Sequence, residues 1–271
     1  MPELPEVETT RLGIASHLNG KRVKQFIIRE RRLRWPVANG LGNKLCGQTL
    51  HGIDRRAKYL LFNFDRGCLI WHLGMSGSMR IVTEPGEPGR HEHVDLLMHD
   101  DTCLRFRDPR RFGSIHYTGK PVQQHKLLRH LGPEPLSAEL TAAYLYRRAR
   151  GRKQKIKTFI MDSKIVVGVG NIYASEALFE SGIHPGRRAD QISLERYAGL
   201  AGAIQSVLTR ALAKGGTTLR DFVDSNGEPG YFSLELAVYD RGGEPCRVCG
   251  RAIRQLRLGQ RSTYYCGHCQ R

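Results

Sequence analysis

Leu131-Gly132-Pro133-Glu134-Pro135 is a stretch that neither a helix nor a central strand accepts. Each proline fixes its own φ, lacks an N–H and pushes the residue before it out of the helical region, so the segment reads as a stiff connector. The texture of the chain changes across it. Upstream, short runs (Arg22 to Ile28, Tyr59 to Phe64, Cys68 to Leu73, Val94 to Met98, Cys103 to Arg107) are bounded by Gly, Pro and Asp clusters, the pattern of an antiparallel sandwich or barrel. Ahead of them, residues 5–19 predict a helix, with Val7, Ile14 and Leu18 on one face, acidic residues in the first turn and Gly20 as its stop. Downstream the patterns become helical at 137–149, 155–162, 171–181 and 192–214. The expected class is therefore α+β and multidomain.

Among 271 residues, 43 Lys and Arg face 26 Asp and Glu, a formal charge of +17 that suits a polyanionic partner. An anionic membrane is the rival partner. No apolar run approaches the roughly 18 residues of a spanning helix, and the first turns carry Glu3, Glu6 and Glu8 where an export signal would be basic and then apolar. The expectation is a cytoplasmic protein without membrane insertion.

Seven cysteines divide into three scattered ones (Cys46, Cys68, Cys103) and a terminal four. Cys246-Arg247-Val248-Cys249 and Cys266-Gly267-His268-Cys269 form C-x2-C-x16-C-x2-C, the spacing with which two tight knuckles present four thiolates to one tetrahedral ion. Zinc is expected, with iron as the alternative for an all-sulfur site. Four cysteine ligands leave no open position for a catalytic water, so the ion is structural. Between the pairs, Ile253 to Leu258 and Ser262 to Tyr265 predict a hairpin around Gly259, Gln260 and Arg261. Six arginines and no acidic residue from Cys246 to Arg271 point to phosphate contact.

Met1-Pro2-Glu3-Leu4-Pro5-Glu6 supports two readings. In the first, the prolines start a helix and the glutamates complement its dipole. In the second, removal of Met1 leaves Pro2 as a secondary amine, and terminal amines titrate at about 7.7–8.0, low enough for an uncharged fraction near neutrality. Such an amine attacks an aldehydic sugar carbon to give an iminium, an electron sink that labilises the neighbouring proton. Glu3 would then protonate a sugar oxygen, and Glu6 would orient the amine or a water. Further on, Gly168-Val169-Gly170 leads into a predicted helix at Asn171, an arrangement that offers backbone amides to a phosphate.

Taken in order, Pro2 to Thr9 (P-E-L-P-E-V-E-T), His72 to Gly77 (H-L-G-M-S-G), Asp108 to Gly113 (D-P-R-R-F-G), His130 to Leu136 (H-L-G-P-E-P-L), Gly168 to Glu176 (G-V-G-N-I-Y-A-S-E) and the cysteine module resemble the bacterial formamidopyrimidine-DNA glycosylases over essentially the whole chain. The resemblance implies an N-terminal helix and antiparallel β-sandwich forming a catalytic domain (residues 1–133). It implies a helix-two-turn-helix domain with a lesion-capping loop at 217–232 (residues 134–236), then a β-hairpin zinc finger (residues 237–271).

It further implies a monomer acting on damaged double-stranded DNA, removing 8-oxoguanine and ring-opened purines and then nicking the abasic site by β- and δ-elimination. Pro2 takes the part of Schiff-base nucleophile, Glu3 that of proton donor in base release, Lys58 that of proton donor in β-elimination, and Arg261 acts in δ-elimination and phosphate contact. Met75, Arg110 and Phe112 match the wedge that fills the stack once a nucleotide is extruded. His91, Lys153 and Asn171 match DNA contacts, and Lys157 lies toward the lesion side. Two alternatives stand beside this one: an endonuclease VIII-type enzyme for oxidised pyrimidines, and a zinc-finger protein that binds DNA without chemistry.

Overall fold

The computed structural model describes residues 2–82, 86–216 and 235–271. The chain divides into two units, Met1–Arg129 with Lys214–Tyr231, and His130–Ala213 with Phe232–Arg271.

The first unit opens with α1 (Leu4–Leu18), which begins where Glu3 leaves the helical region and the Glu6 carboxylate accepts the Glu3 N–H at 2.8 Å. This reach back to the cap residue satisfies one of the donors a helix start leaves over. Gly20, at φ +78°, ends the helix as the sequence implies. Eight strands follow, β1 (Val23–Ile28), β2 (Leu50–Arg56), β3 (Tyr59–Phe64), β4 (Gly67–His72), β5 (Ser78–Val82), β6 (Glu92–Met98), β7 (Cys103–Arg107) and β8 (Ser114–Thr118), with the short helix α2 (Leu41–Leu45) before β2. They form two four-stranded antiparallel sheets, β1-β6-β7-β5 and β2-β3-β4-β8.

The sheets share one core. Trp71 of β4 stands at its centre, its ring 5.7 Å from Phe62 in the same sheet and 5.2 and 6.0 Å from Phe106 and Phe26 of the other. Val7, Ile14 and Leu18 of α1 join the same buried cluster. This is the sandwich expected from the strand pattern, with the N-terminal helix closing part of its edge. A buried charge pair crosses one sheet, where Arg105 of β7 donates from Nε and Nη2 to Asp95 of β6 at 3.0 and 2.9 Å. Both side chains are almost inaccessible, a placement that is tolerable because the carboxylate is fully engaged.

The second unit holds α3 (Ala142–Ala149), α4 (Ile156–Ile160), α5 (Asn171–Glu180) and α6 (Leu194–Ala213). The helix expected from 137 starts at 142 because Thr141 caps it, its hydroxyl accepting the Tyr144 N–H at 3.1 Å. Helix α5 is buried on every side from Ile172 to Leu178, which makes it the centre of this unit. Two strands, β9 (Arg254–Leu258) and β10 (Arg261–Tyr265), pair antiparallel around Gly259 and Gln260, whose φ values of +52° and +60° are those of the tight two-residue turn that matches strand twist. Arg261 is thus the first residue of β10, opposite Leu258. Among the described residues no helix is long and apolar enough to cross a membrane.

Candidate functional site

In the first unit the N-terminal cluster is enclosed. Pro2 is buried, and Glu3 and Glu6 are 2 % and 0 % exposed. Gly216, at φ +83°, lies flat against the Glu6 carboxyl, and a Cβ added there would stand 2.8 Å from Oε1. Only a glycine backbone comes that close. Lys58 occupies the turn between β2 and β3 behind Ala57, a non-glycine residue held at φ +56°.

The chain ties these two places together through Glu8. Its carboxylate takes Arg11 Nη2 at 2.6 Å and Arg55 Nε at 2.8 Å, so α1 is fastened to the end of β2 that leads into the Lys58 turn. Burial raises the Glu8 carboxyl, but the Arg11 and Arg55 guanidiniums prevail and hold it below its ordinary value. Beside Lys58, burial and then the Lys58 and Arg34 charges push the His72 imidazole down to about 4. His72 is therefore neutral near pH 7, and its Nδ1 accepts the Gly74 N–H at 2.9 Å.

The expected wedge residues sit on two loops, Met75 between β4 and β5, and Arg110 and Phe112 between β7 and β8. The Arg110 guanidinium lies 5.0 Å from the centroid of the Phe112 ring, which is 42 % exposed. Arg111 between them takes φ +55°. His91 precedes β6, and partial desolvation, Arg90, Arg107 and His93 push its imidazole below the usual value.

In the second unit, Asn171 is the first residue of α5 after Gly170, with Gly168 at φ +79° just before, which gives the glycine-to-helix-start geometry read from the sequence. Lys153 and Arg261 are exposed. Lys157 is not. It is 1 % exposed, and its Nζ donates to Ser262 O at 3.2 Å and Thr263 Oγ1 at 3.0 Å. Asn171 Nδ2 donates to the same Ser262 carbonyl at 3.1 Å. Two residues expected at DNA thus also fasten β10 next to Arg261.

The four cysteine Sγ atoms lie within 4.8 Å of one another, with Cys246 to Cys269 at 4.0 Å and Cys249 to Cys266 at 3.4 Å. A tetrahedral ion with Zn–S bonds of about 2.3 Å sets its sulfurs about 3.8 Å apart, so this donor set fits one zinc ion. Cys246 and Cys266 also belong to a small buried cluster with Val238, Ile253 and Tyr264. When bound, the ion supplies a structural cross-link between the two knuckles that flank the hairpin.

The site residues therefore fall into two groups. Pro2, Glu3, Glu6, Lys58, Met75, His91, Arg110 and Phe112 belong to the first unit; Lys153, Lys157, Asn171, Arg261 and the four cysteines belong to the second. The expected capping loop at 217–232 lies outside the described residues. Sequence reasoning missed His72, the Glu8 to Arg55 tie and the partners of Asp108. His72 and Asp108 lie inside quoted motifs, but nothing in a motif says which side chain turns inward.

Known proteins match the chain segment by segment. Three family models match, described as the formamidopyrimidine-DNA glycosylase N-terminal domain (residues 1–115), the formamidopyrimidine-DNA glycosylase H2TH domain (131–223) and the zinc finger found in FPG and IleRS (243–271). Proteins named formamidopyrimidine-DNA glycosylase from Alkalilimnicola ehrlichii and Methylococcus capsulatus are each 58% identical, with 100% of both chains covered. Among solved structures, the MutM (Fpg) protein of Thermus thermophilus is 35% identical with a TM-score of 0.89, covering 99% of this chain and 98% of that one. The Lactococcus lactis Fpg in complex with DNA containing an abasic site is 31% identical with a TM-score of 0.90, covering 99% of each chain. With all three segments matched in order and the relatives aligned from end to end, the chain belongs to the formamidopyrimidine-DNA glycosylase family.

Proposed function

We propose that this protein is a bifunctional base-excision-repair enzyme that removes oxidised purines, 8-oxoguanine and formamidopyrimidines, from double-stranded DNA and then cuts the strand. The observation that carries the proposal is the enclosed cluster of Pro2, Glu3 and Glu6 at the start of α1. Glu3 and Glu6 close a reciprocal capping box there, and their enclosure beside Pro2 supports the reading because it keeps two carboxyls within one helical turn of the nitrogen that becomes a terminal amine once Met1 is removed.

Once Met1 is removed, the Pro2 nitrogen is a secondary amine. Its lone pair forms a bond to sugar C1′ while Glu3 delivers the proton that opens the sugar ring, and the damaged base departs. The resulting iminium draws electron density from C2′, whose proton is lost. The electrons of that C–H bond form a double bond as the 3′ phosphate leaves, and a second elimination expels the 5′ phosphate. Lys58, in the turn between β2 and β3, serves as a proton donor in the first elimination, and Arg261 contacts phosphate in the second. Glu6, whose carboxylate accepts the Glu3 N–H, holds the amine or a water in this reading. Extrusion of the lesion leaves a gap that Met75, Arg110 and Phe112 fill, and the Arg110 guanidinium can donate to the acceptors of the orphaned cytosine. His91, Lys153 and Asn171 hold the backbone, in keeping with the +17 charge.

Borohydride reduction during turnover tests this. A covalent adduct on an 8-oxoguanine or abasic duplex, mapped to the N-terminal proline, is the expected result; an adduct on a lysine, or none from protein lacking Met1, removes the Pro2 mechanism. A further Lactococcus lactis Fpg structure, 31% identical, is a complex with DNA containing an oxidised pyrimidine. The assay therefore compares 8-oxoguanine with 5-hydroxycytosine, and faster excision of the purine is expected.

A further inference from the structure

The loops that carry Met75 and Arg110 meet backbone to backbone. Gly74 stands at φ +75°, and a Cβ on it would come within 2.4 Å of Phe112 C and Gly113 N. At the centre of the contact lies a carboxylate that no part of the proposed chemistry uses. Asp108 is 0 % exposed and Ser76 is 3 % exposed. Asp108 Oδ1 accepts the Ser76 hydroxyl at 2.9 Å, and Oδ2 accepts the Gly113 N–H at 2.7 Å. The Ser76 oxygen in turn accepts the Arg110 N–H at 3.2 Å. One hydroxyl thus donates into the base of the second loop and accepts from its tip, while the carboxylate fixes the residue that follows Phe112.

We propose that Asp108 and Ser76 are positioning residues that join the two loops into one preassembled wedge, setting Met75 against Arg110 and Phe112 before DNA arrives. The inference rests on the proposed function of these residues in filling the emptied stack. Its physical content is pre-organisation. A buried carboxylate with two donors loses one charge-assisted bond when either partner goes; the paired strands still hold the ends of the two loops, but the polar link that sets their tips against one another is weakened. Ordering them is paid at each encounter with DNA when the link is absent. Arg111, at φ +55°, adds to the case, because a strained residue persists only where its surroundings over-determine it, and its own N–H donates to Asp108 O at 3.2 Å.

Ser76→Ala removes the bridging oxygen, and Asp108→Asn keeps the shape but replaces the carboxylate's charge-assisted acceptance with a neutral amide. Each variant is assayed on 8-oxoguanine opposite cytosine, and on 8-oxoguanine opposite an abasic analogue, where no partner base has to be parted from the lesion. The expected result is a fall of about tenfold or more in kcat/KM on the paired substrate that shrinks to about threefold or less on the unpaired one. The double variant should lose no more than the worse single variant, since both act through one link. Equal losses on the two substrates, additive losses, or no loss on the paired substrate would overturn the proposal. Ser76→Ala alone decides the matter if Asp108→Asn does not fold, with thermal melting as the check. Wild-type protein that fails to excise 8-oxoguanine from either duplex counts against the proposed function instead.

Discussion

Arg55 reaches across 47 residues of sequence to donate from Nε to Glu8 Oε2 at 2.8 Å, and this bond couples the helix that begins at Leu4 to the strand that ends at the Lys58 turn. The tie is part-buried and shares its carboxylate with Arg11, so its loss is felt both in stability and in how α1 sits against the turn that holds Lys58. Glu8→Gln is expected to destabilise the protein by about 1–2 kcal/mol at pH 7, the range for a charge-assisted bond discounted for solvent. The sign with pH follows from the lowered carboxyl. Its stabilisation is present above the ordinary value of 4.5 and is lost as pH falls through the lower folded-state value, so wild type and variant converge in acid. Urea unfolding at pH 7 and at pH values below 4.5 checks both ends.

A second pH effect comes from His72. Its folded-state value of about 4 lies below the ordinary 6.5, so the unfolded chain binds the extra proton between those limits. Stability therefore declines as pH falls from 6.5 to about 4 and this contribution levels off below. His72→Asn keeps an acceptor near the Gly74 N–H without a titrating ring. Its unfolding free energy is expected to vary less with pH over that interval, and an unchanged slope would contradict the neutral-acceptor assignment.

Removing the metal is expected to unfold the β9–β10 hairpin locally, because two of the five residues in its small buried cluster are ligands. Structural zinc in finger peptides contributes apparent binding energies of about 10–16 kcal/mol, far beyond what so small a cluster supplies by itself. Chelation, or Cys266→Ser, should release one equivalent of zinc and abolish amide-exchange protection in the hairpin while weakening DNA affinity. Retention of protection without metal would show that packing alone holds it.

Arg261 is exposed at the hairpin turn, whereas Lys157 beneath it is buried, so the two cations should fail differently. Arg261→Ala is expected to lower the slope of log affinity against log salt by about 0.9, the signature of one lost phosphate contact. Lys157→Met, which removes donors to Ser262 O and Thr263 Oγ1, should lower thermal stability as well. Melting curves beside a salt titration separate the two.

Much of this architecture could be read in advance wherever the signal is local. The cysteine spacing, the N-terminal helix (expected at residues 5–19, found at Leu4–Leu18) and strand β7 depend on residues close in sequence, and they are found where the patterns put them or within one residue of it. Strand β2 was harder to see. A bulge between Leu50 and Gly52 breaks its alternation, and only Leu50 and Ile53 are buried. Arg105 sits in a strand where a charge reads as solvent-facing, yet it is 3 % exposed because Asp95, ten residues away, neutralises it. The same limit applied to the site. Spacing and motif marked Pro2, Glu3 and the cysteines, but the inward turn of His72, Asp108 and Lys157 depends on partners brought close only by folding.

Gly216 lies against Glu6 although 210 positions separate them in the chain. A shortened version ending at residue 129 would keep Pro2, Glu3 and Lys58, yet the carboxyl of Glu6 would lose this wall. The residues of the N-terminal cluster therefore all lie within the first 129 positions, but part of their enclosure does not, because the sequence supplies it only after helix α6.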